Sequence, residues 1–286
     1  MAAGQVITMG GGWALAPSLA AHLRHRPKAP AWYLPPEDRP DEWLGLLRAM
    51  QVVAASRRGA LALRSAALHH GWPVLDAPTT TEVAVPQGRK FRALPGVHGP
   101  VTMVRRSLRA SELADRVTDP VRTVLDCAAT LPFRDALAIA DSALRTGDVG
   151  ALELSEAAAR AQRGRAAAVR VAEAATALAA NPFESAMRAM ALEVEGARFV
   201  PQQEVVTPVG RAWVDLGDPE LRVALEADSY TFHGSTDGFV RDIRRYNVLA
   251  TLDWAVIRVG FGDLMKHPGA IKEQVQAVVW GRRSSR

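Results

Sequence analysis

An α/β fold is what this sequence predicts, with a mixed sheet flanked by helices in the C-terminal third and a mainly helical N-terminal part carrying short strands. Three observations carry the prediction. The chain has 286 residues of which 48% are hydrophobic, a composition that supports packed cores rather than disorder. At roughly 100 to 200 residues per domain, that length suggests two domains. In the C-terminal third the pattern runs helix, three strands, helix, strand, helix, which is an α/β layout.

Residues 1 to 55 read as an irregular start followed by a helix. Pro27 to Pro40 holds five prolines, which remove backbone donors and fix φ, so this stretch is a connector. Asp41 then caps a helix whose stripe is Trp43, Leu46, Leu47 and Met50. Leu61, Leu63, Ala66, Ala67 and Leu68 suggest a short second helix ending at Gly71. Thr81 to Val85 alternates and Val101 to Val104 follows Gly99-Pro100, as short strands joined by turns do. Asp119-Pro120 opens a helix, since proline near a helix start loses no bond there. Another helix spans about Phe133 to Thr146. Residues 151 to 180, rich in Ala, Arg and Glu, read as helices or a helical linker, and Asn181-Pro182 breaks that composition. The domains are therefore placed at 1–180 and 181–286.

Past that break, Phe183, Met187, Met190, Ala191 and Val194 form a helical stripe that stops at Gly196. Extended pieces follow at Phe199 to Val206, Ala212 to Leu216 and Leu221 to Ala227. Then come a helix through Phe239, Ile243, Tyr246 and Ala250, a strand from Ala255 to Val259, and a last helix bearing Ile271, Val275 and Val278.

Composition excludes several classes. The single cysteine, Cys127, rules out an intramolecular disulfide and any zinc site built on paired cysteines. No window of about 18 to 20 residues is both uncharged and apolar throughout, so no membrane span is expected. The start has no basic residue before its apolar stretch, which argues against a signal peptide, and a cytoplasmic location is the expectation. Residues 1 to 180 carry 22 basic and 16 acidic side chains, and the remainder 13 and 14. A basic N-terminal part is compatible with an anionic polymer as partner.

The acidic residues of the C-terminal third form a pattern. Asp215 ends one expected strand, Glu226 and Asp228 stand two apart on the next and so share a face, and Glu184 lies in the first turn of the preceding helix. A hairpin around Gly217-Asp218-Pro219 would set Asp215 and Glu226 side by side. Like charges that close are tolerated when a cation lies between them. Carboxylate oxygens select a hard ion, so Mg²⁺ or Mn²⁺ is the expected cofactor, and such an ion would support phosphodiester hydrolysis. Asp228 reads equally as a third metal ligand or a turn residue.

The segments Val214 to Leu216, Leu225 to Gly234, Arg241 to Asn247 and Asp253 to Val259 together resemble the bacterial domain related to the very-short-patch-repair (Vsr) endonucleases, within the PD-(D/E)xK nuclease superfamily. The resemblance covers about residues 182 to 283 and implies a restriction-endonuclease-like mixed sheet. It implies that Asp215 and Glu226 hold the metal, that Glu184 completes the acidic site, and that His233 in Phe232-His233-Gly234 is a general base or proton relay. Arg241 and Arg245, one helical turn apart, would face a scissile phosphate. The lysine expected two positions after the motif glutamate is Asp228 here, and Vsr-type enzymes also replace it. In the N-terminal part, Ser65 to Pro73 and Asp119 to Ala128 resemble actinobacterial AbiEi-family antitoxins of type IV toxin-antitoxin systems. Together the resemblances imply a Mg²⁺-dependent DNA endonuclease joined to an antitoxin-like domain, or else a non-catalytic DNA-binding regulator. The implied partners are DNA and a cognate toxin or regulator.

Plainer readings stand beside several residues. His69 and His70 sit at a helix end beside Trp72, and adjacent helical positions point apart, so packing or capping is favoured over metal binding. Arg57-Arg58, Arg89-Lys90-x-Arg92 and Arg105-Arg106 are short basic groups of the kind found on solvated faces. Gly10-Gly11-Gly12 lacks the Lys-Ser/Thr ending of a phosphate loop and reads as a flexible segment. Trp254 and Cys127 read as packing residues.

Overall fold

The computed structural model describes residues 7–9, 12–14, 40–88, 101–228 and 236–285. Two compact units divide the chain, Met1–Ala175 and Thr176–Arg286. The division falls a few residues before the Asn181-Pro182 break that the sequence suggests. The fold is mixed α/β, and no described helix is long and apolar enough to cross a membrane.

In the first unit, β1 (Ile7–Met9) and β2 (Gly12–Ala14) pair antiparallel with Met9 opposite Gly12. Gly12, expected in a flexible segment, thus lies in a strand. Helix α1 runs over Pro40–Ser56 and is followed by β3 (Ala60–Leu61) and α2 (Leu63–His69). Leu61, expected on a helix face, is in a strand. The Gly59 position leading into it explains the tight approach, since a Cβ there would lie 2.2 Å from the Ala84 carbonyl oxygen. Strand β4 (Thr81–Val85) is central, antiparallel to β3 and parallel to β5 (Val101–Arg105). All five β4 residues are buried, so the alternation in its sequence does not mark a half-exposed strand.

Helices α3 (Ala110–Asp115), α4 (Pro120–Ala128) and α5 (Phe133–Thr146) follow. Asp119 caps α4 by accepting from the Arg122 N–H at 2.9 Å, with Pro120 at the first helical position where its missing donor is harmless. Helices α6 (Ala151–Ala159) and α7 (Arg165–Ala174) are not a linker: Leu154, Ala158, Ala168 and Val171 are buried in the same core as Trp72, Val83 and Ile139. Gly164 pins the start of α7, because its φ is +60° and a Cβ would come within 2.5 Å of the Ala129 Cβ.

In the second unit, α8 (Pro182–Ala191) begins at Asn181, whose side chain accepts from the Glu184 N–H at 3.1 Å. Strands β6 (Val200–Thr207), β7 (Gly210–Asp218) and β8 (Val223–Asp228) form an antiparallel meander. Helix α9 (Thr236–Thr251) then crosses over to β9 (Ala255–Gly260), which pairs parallel with β8, as a parallel neighbour requires. A short helix, α10 (Phe261–Lys266), which the sequence did not suggest, precedes the expected last helix, α11 (Pro268–Ser284), and Pro268, with no N–H to continue the first, starts the second. Leu249 of α9 packs with Val205, Val214 and Ala224, and Trp254 packs against that cluster. Phe183 of α8 meets Phe261 edge to face at 5.3 Å. Asp218 serves the β7–β8 turn, accepting from the backbone of Arg198, Glu220 and Leu221 at 2.6, 3.0 and 2.9 Å.

Candidate functional site

The β7–β8 ladder ends at Leu216 opposite Leu225. One residue beyond it on each strand stand Asp215 and Glu226, and there a side chain replaces the ladder: the Ala227 N–H donates to Asp215 Oδ2 at 2.8 Å. On the other side of β7, Pro201 pairs with Leu216 and Gln203 with Val214, so Gln202 falls opposite Asp215. Gln202 has φ +50°, a left-handed conformation that costs a non-glycine residue on the order of 1 kcal/mol and that the sequence does not foretell. Its side chain lies close enough to Asp215 to favour the ionised carboxyl and donates through Nε2 to Glu184 Oε2 at 3.2 Å. Gln202 therefore links the helix carboxylate to the strand carboxylate.

Glu184 is buried and well supplied with donors. The Ala180 N–H reaches its Oε2 at 2.8 Å and Asn181 Nδ2 its Oε1 at 2.9 Å. Asp215 is less well compensated. Burial pushes its carboxyl above the ordinary carboxylate range, against the opposing pull of the Ala227 N–H, the nearby Arg245 charge and Gln202.

Glu226 is buried and held by Arg245 of α9 in a two-pronged ion pair, Nη1 to Oε1 and Nη2 to Oε2, both at 3.1 Å. Arg245 also donates to the Trp213 carbonyl oxygen and to the Tyr246 hydroxyl, each at 3.2 Å. The cation that Glu226 meets is thus a guanidinium. Asp228 lies 2.5 Å from Arg258 Nη2, and the guanidinium carbons of Arg245 and Arg258 stand 5.0 and 5.2 Å from the centre of the Tyr246 ring.

The structure therefore brings Glu184 and Asp215 together around Gln202, places Glu226 on the strand beside Asp215, and gives Arg245 to Glu226 and Asp228 to Arg258. His233 lies outside the described residues. Arg241 is on α9, one turn before Arg245, and its side chain is outside the description. Gln202, Tyr246 and Arg258 were not singled out by sequence. Arg258 had a readable signal, since a parallel fourth strand places it opposite Glu226.

The donor chemistry of Asp215 and Glu226 suits a hard divalent ion. Among the described residues, however, no three acidic, histidine or cysteine side chains form a metal-binding group. Asp215 Oδ2 already accepts from the Ala227 N–H and both oxygens of Glu226 face Arg245, so a metal would have to share or displace these partners.

His69 and His70 behave as packing residues. His70 Nε2 is 2.9 Å from the Thr118 carbonyl oxygen, its ring lies 4.7 Å from Trp72, and His69 bonds Gln51 at 2.9 Å. Cys127 is fully buried, which pushes its thiol pKa well up.

Two proteins of Mycobacterium tuberculosis are similar to this chain, the uncharacterised proteins Rv2248 of strain H37Rv and MT2308 of strain CDC 1551. Each is 28% identical over 251 residues, covering 85% of this chain and 89% of the relative. No protein-family profile matches the chain. No solved structure matches it.

Proposed function

We propose that the second unit is a Vsr-like, Mg²⁺-dependent DNA endonuclease and that the antitoxin-like first unit serves DNA or a partner protein. The observation that carries this reading is the group Glu184–Gln202–Asp215–Glu226, which joins a helix to adjacent strands of a mixed sheet in the order the motif series implies. The incompletely compensated charge of Asp215 adds support, because fold stability alone gives no reason to withdraw it partly from water.

Asp215 and Glu226 would hold Mg²⁺ or Mn²⁺, which would polarise a phosphoryl oxygen. Arg245 would turn from Glu226 to the phosphate as the ion arrives, exchanging one anionic partner for another. Arg241, one turn earlier, would contact the same strand, and His233 would take a proton from the attacking water. Incubating plasmid with the protein and Mg²⁺ tests this directly. Nicking that EDTA and Asp215→Ala both abolish is the expected result. Equal nicking by the variant, or none by either protein, removes the catalytic claim.

A second reading is a non-catalytic DNA-binding regulator or antitoxin. The engagement of Glu226 by Arg245 and of Asp228 by Arg258 favours it, since these pairs satisfy the acids without a metal. It predicts DNA binding that weakens steeply with salt, through counterion release, and no cleavage.

A further inference from the structure

The first unit contains an open-sided cleft of about 730 Å³ formed around the end of β5, the start of α4 and the end of α6. That volume falls within the ~300–1,000 Å³ of small-molecule sites. Six arginines line it: Arg105, Arg106, Arg109, Arg122, Arg160 and Arg163. Against them stand the carboxylates of Asp119, Asp126 and Glu153, leaving a local excess of positive charge.

The arginines fall into two groups. Arg106 is fixed in place, with Nε on Asp126 Oδ1 at 2.7 Å and Nη2 on Thr130 at 3.3 Å. Arg122 lies between Glu112 and Asp126 at 3.7 and 3.6 Å, too long for hydrogen bonds. As a result Arg122 Nε and Asp126 Oδ2 are buried without a hydrogen-bond partner, an orphaned donor beside an orphaned acceptor. The two atoms face each other at 3.6 Å as a loose ion pair that underlies the cleft wall. At the rim, Arg109 is exposed and spends only Nη1 on Asp119, at 2.8 Å, and Arg163 makes no ion pair among the described residues.

The remaining lining is of a different kind. Val121, Leu125, Ala157 and Ala161 give an apolar wall of small and medium side chains. Glu153 is exposed, and its one bond in the α6 cap, from the Gly150 N–H, is long at 3.3 Å.

We propose that this cleft binds a ribonucleoside polyphosphate. The phosphates lie on Arg109 and Arg163 with Arg105 beside them, the base rests on the Val121–Leu125 wall, and a ribose hydroxyl donates to Glu153. The mixture of charges selects this ligand over a nucleic-acid strand. A run of phosphodiesters needs an uninterrupted basic track, and the carboxylates here would repel it. A ribose hydroxyl, by contrast, donates well to a carboxylate. The proposal lies wholly within the first unit and stands or falls independently of the nuclease reading.

Isothermal titration of the full chain with ATP and with GTP tests it, with inorganic phosphate and a short single-stranded DNA as comparison ligands. Saturable one-to-one binding of a nucleotide is expected, tighter than inorganic phosphate. Arg109→Ala combined with Arg163→Ala should weaken it about tenfold or more, since each removes a charge-assisted contact. Both side chains are exposed, and an unchanged circular dichroism spectrum will show that the variant folds. The 2′-deoxynucleotide and Glu153→Gln should each bind several-fold more weakly than the reference pair. No saturation by either nucleotide up to about 1 mM, a range reserved for weak ligands, overturns the proposal. So does undiminished binding by the double variant, or tighter, Arg109- and Arg163-dependent binding of the DNA strand.

Discussion

In the first unit the buried carboxylate Glu82 sits at the amino end of α2, where Oε2 accepts from the Arg64 and Ser65 N–H groups at 2.7 and 3.3 Å. Its Oε1 accepts from Arg64 Nε and Nη2 at 3.1 and 2.7 Å. In the second unit Asp215 is half-buried with a single backbone donor and Gln202 nearby, and its ionised form is penalised. Glu82 does what a helix cap does, although it comes from a neighbouring strand, because α2 begins at Ala62 without a side-chain cap of its own. A carboxylate saturated by its own fold is structural. One that the fold leaves under-compensated is a candidate for a role in the proposed site.

The strongest way to break this comparison is Asp215→Asn. If the second unit cleaves DNA as proposed, cleavage should fall on the order of a thousandfold, with stability at neutral pH unchanged or raised. The sign follows from the raised pKa of the folded state: the ionised form costs stability once pH exceeds the ordinary value of 3.8, and the neutral amide removes that cost. Destabilisation of the Asn variant in urea would make Asp215 a structural residue like Glu82.

Glu82→Ala should behave in the opposite way, losing about 3 kcal/mol, because it strands the Arg64 charge and the N–H groups at the start of α2. Urea unfolding measures this, and a loss below about 1 kcal/mol would reduce the pair to a surface contact. Smaller again is the effect of Arg245→Ala on metal. If guanidinium and ion compete for Glu226, the variant should bind Mn²⁺ about tenfold more tightly by titration calorimetry. Unchanged affinity would show that Arg245 does not guard the acids.

The smallest effect concerns pH. Burial lowers the pKa of both His69 and His70, so the folded state holds these protons less well than the unfolded chain. Stability from this source is present above the ordinary value of 6.5 and declines as pH falls through the window between 6.5 and the lowered folded values. Replacing both with Gln should flatten the pH dependence of the urea midpoint across that window, and an unaltered slope would assign it elsewhere.

Much of the fold was legible because its signals are local. Asp119-Pro120 and Asn181-Pro182 start helices through bonds three residues away, whereas the turn expected at Gly217-Asp218-Pro219 falls later, at Pro219 to Arg222, because Gly217 and Asp218 still pair with Ala224 and Val223. The Leu61 strand and the burial of β4 were not legible, since both depend on which helices cover the sheet. At the site, the Asp215 and Glu226 neighbourhood followed from strand spacing, but Gln202 needed a left-handed backbone that no local pattern announces.

What the sequence determined by itself, then, was the succession of helices, strands and caps, and the clustering of acids near one hairpin. Short-range hydrogen bonding and apolar periodicity act over a few residues and are written directly in the chain. Only the tertiary structure decided which charge each acid meets: Arg245 lies 19 residues from Glu226 and Arg258 lies 30 from Asp228. Coulombic attraction depends on separation in space and on burial, and neither is fixed until the strands and the crossover helix have packed.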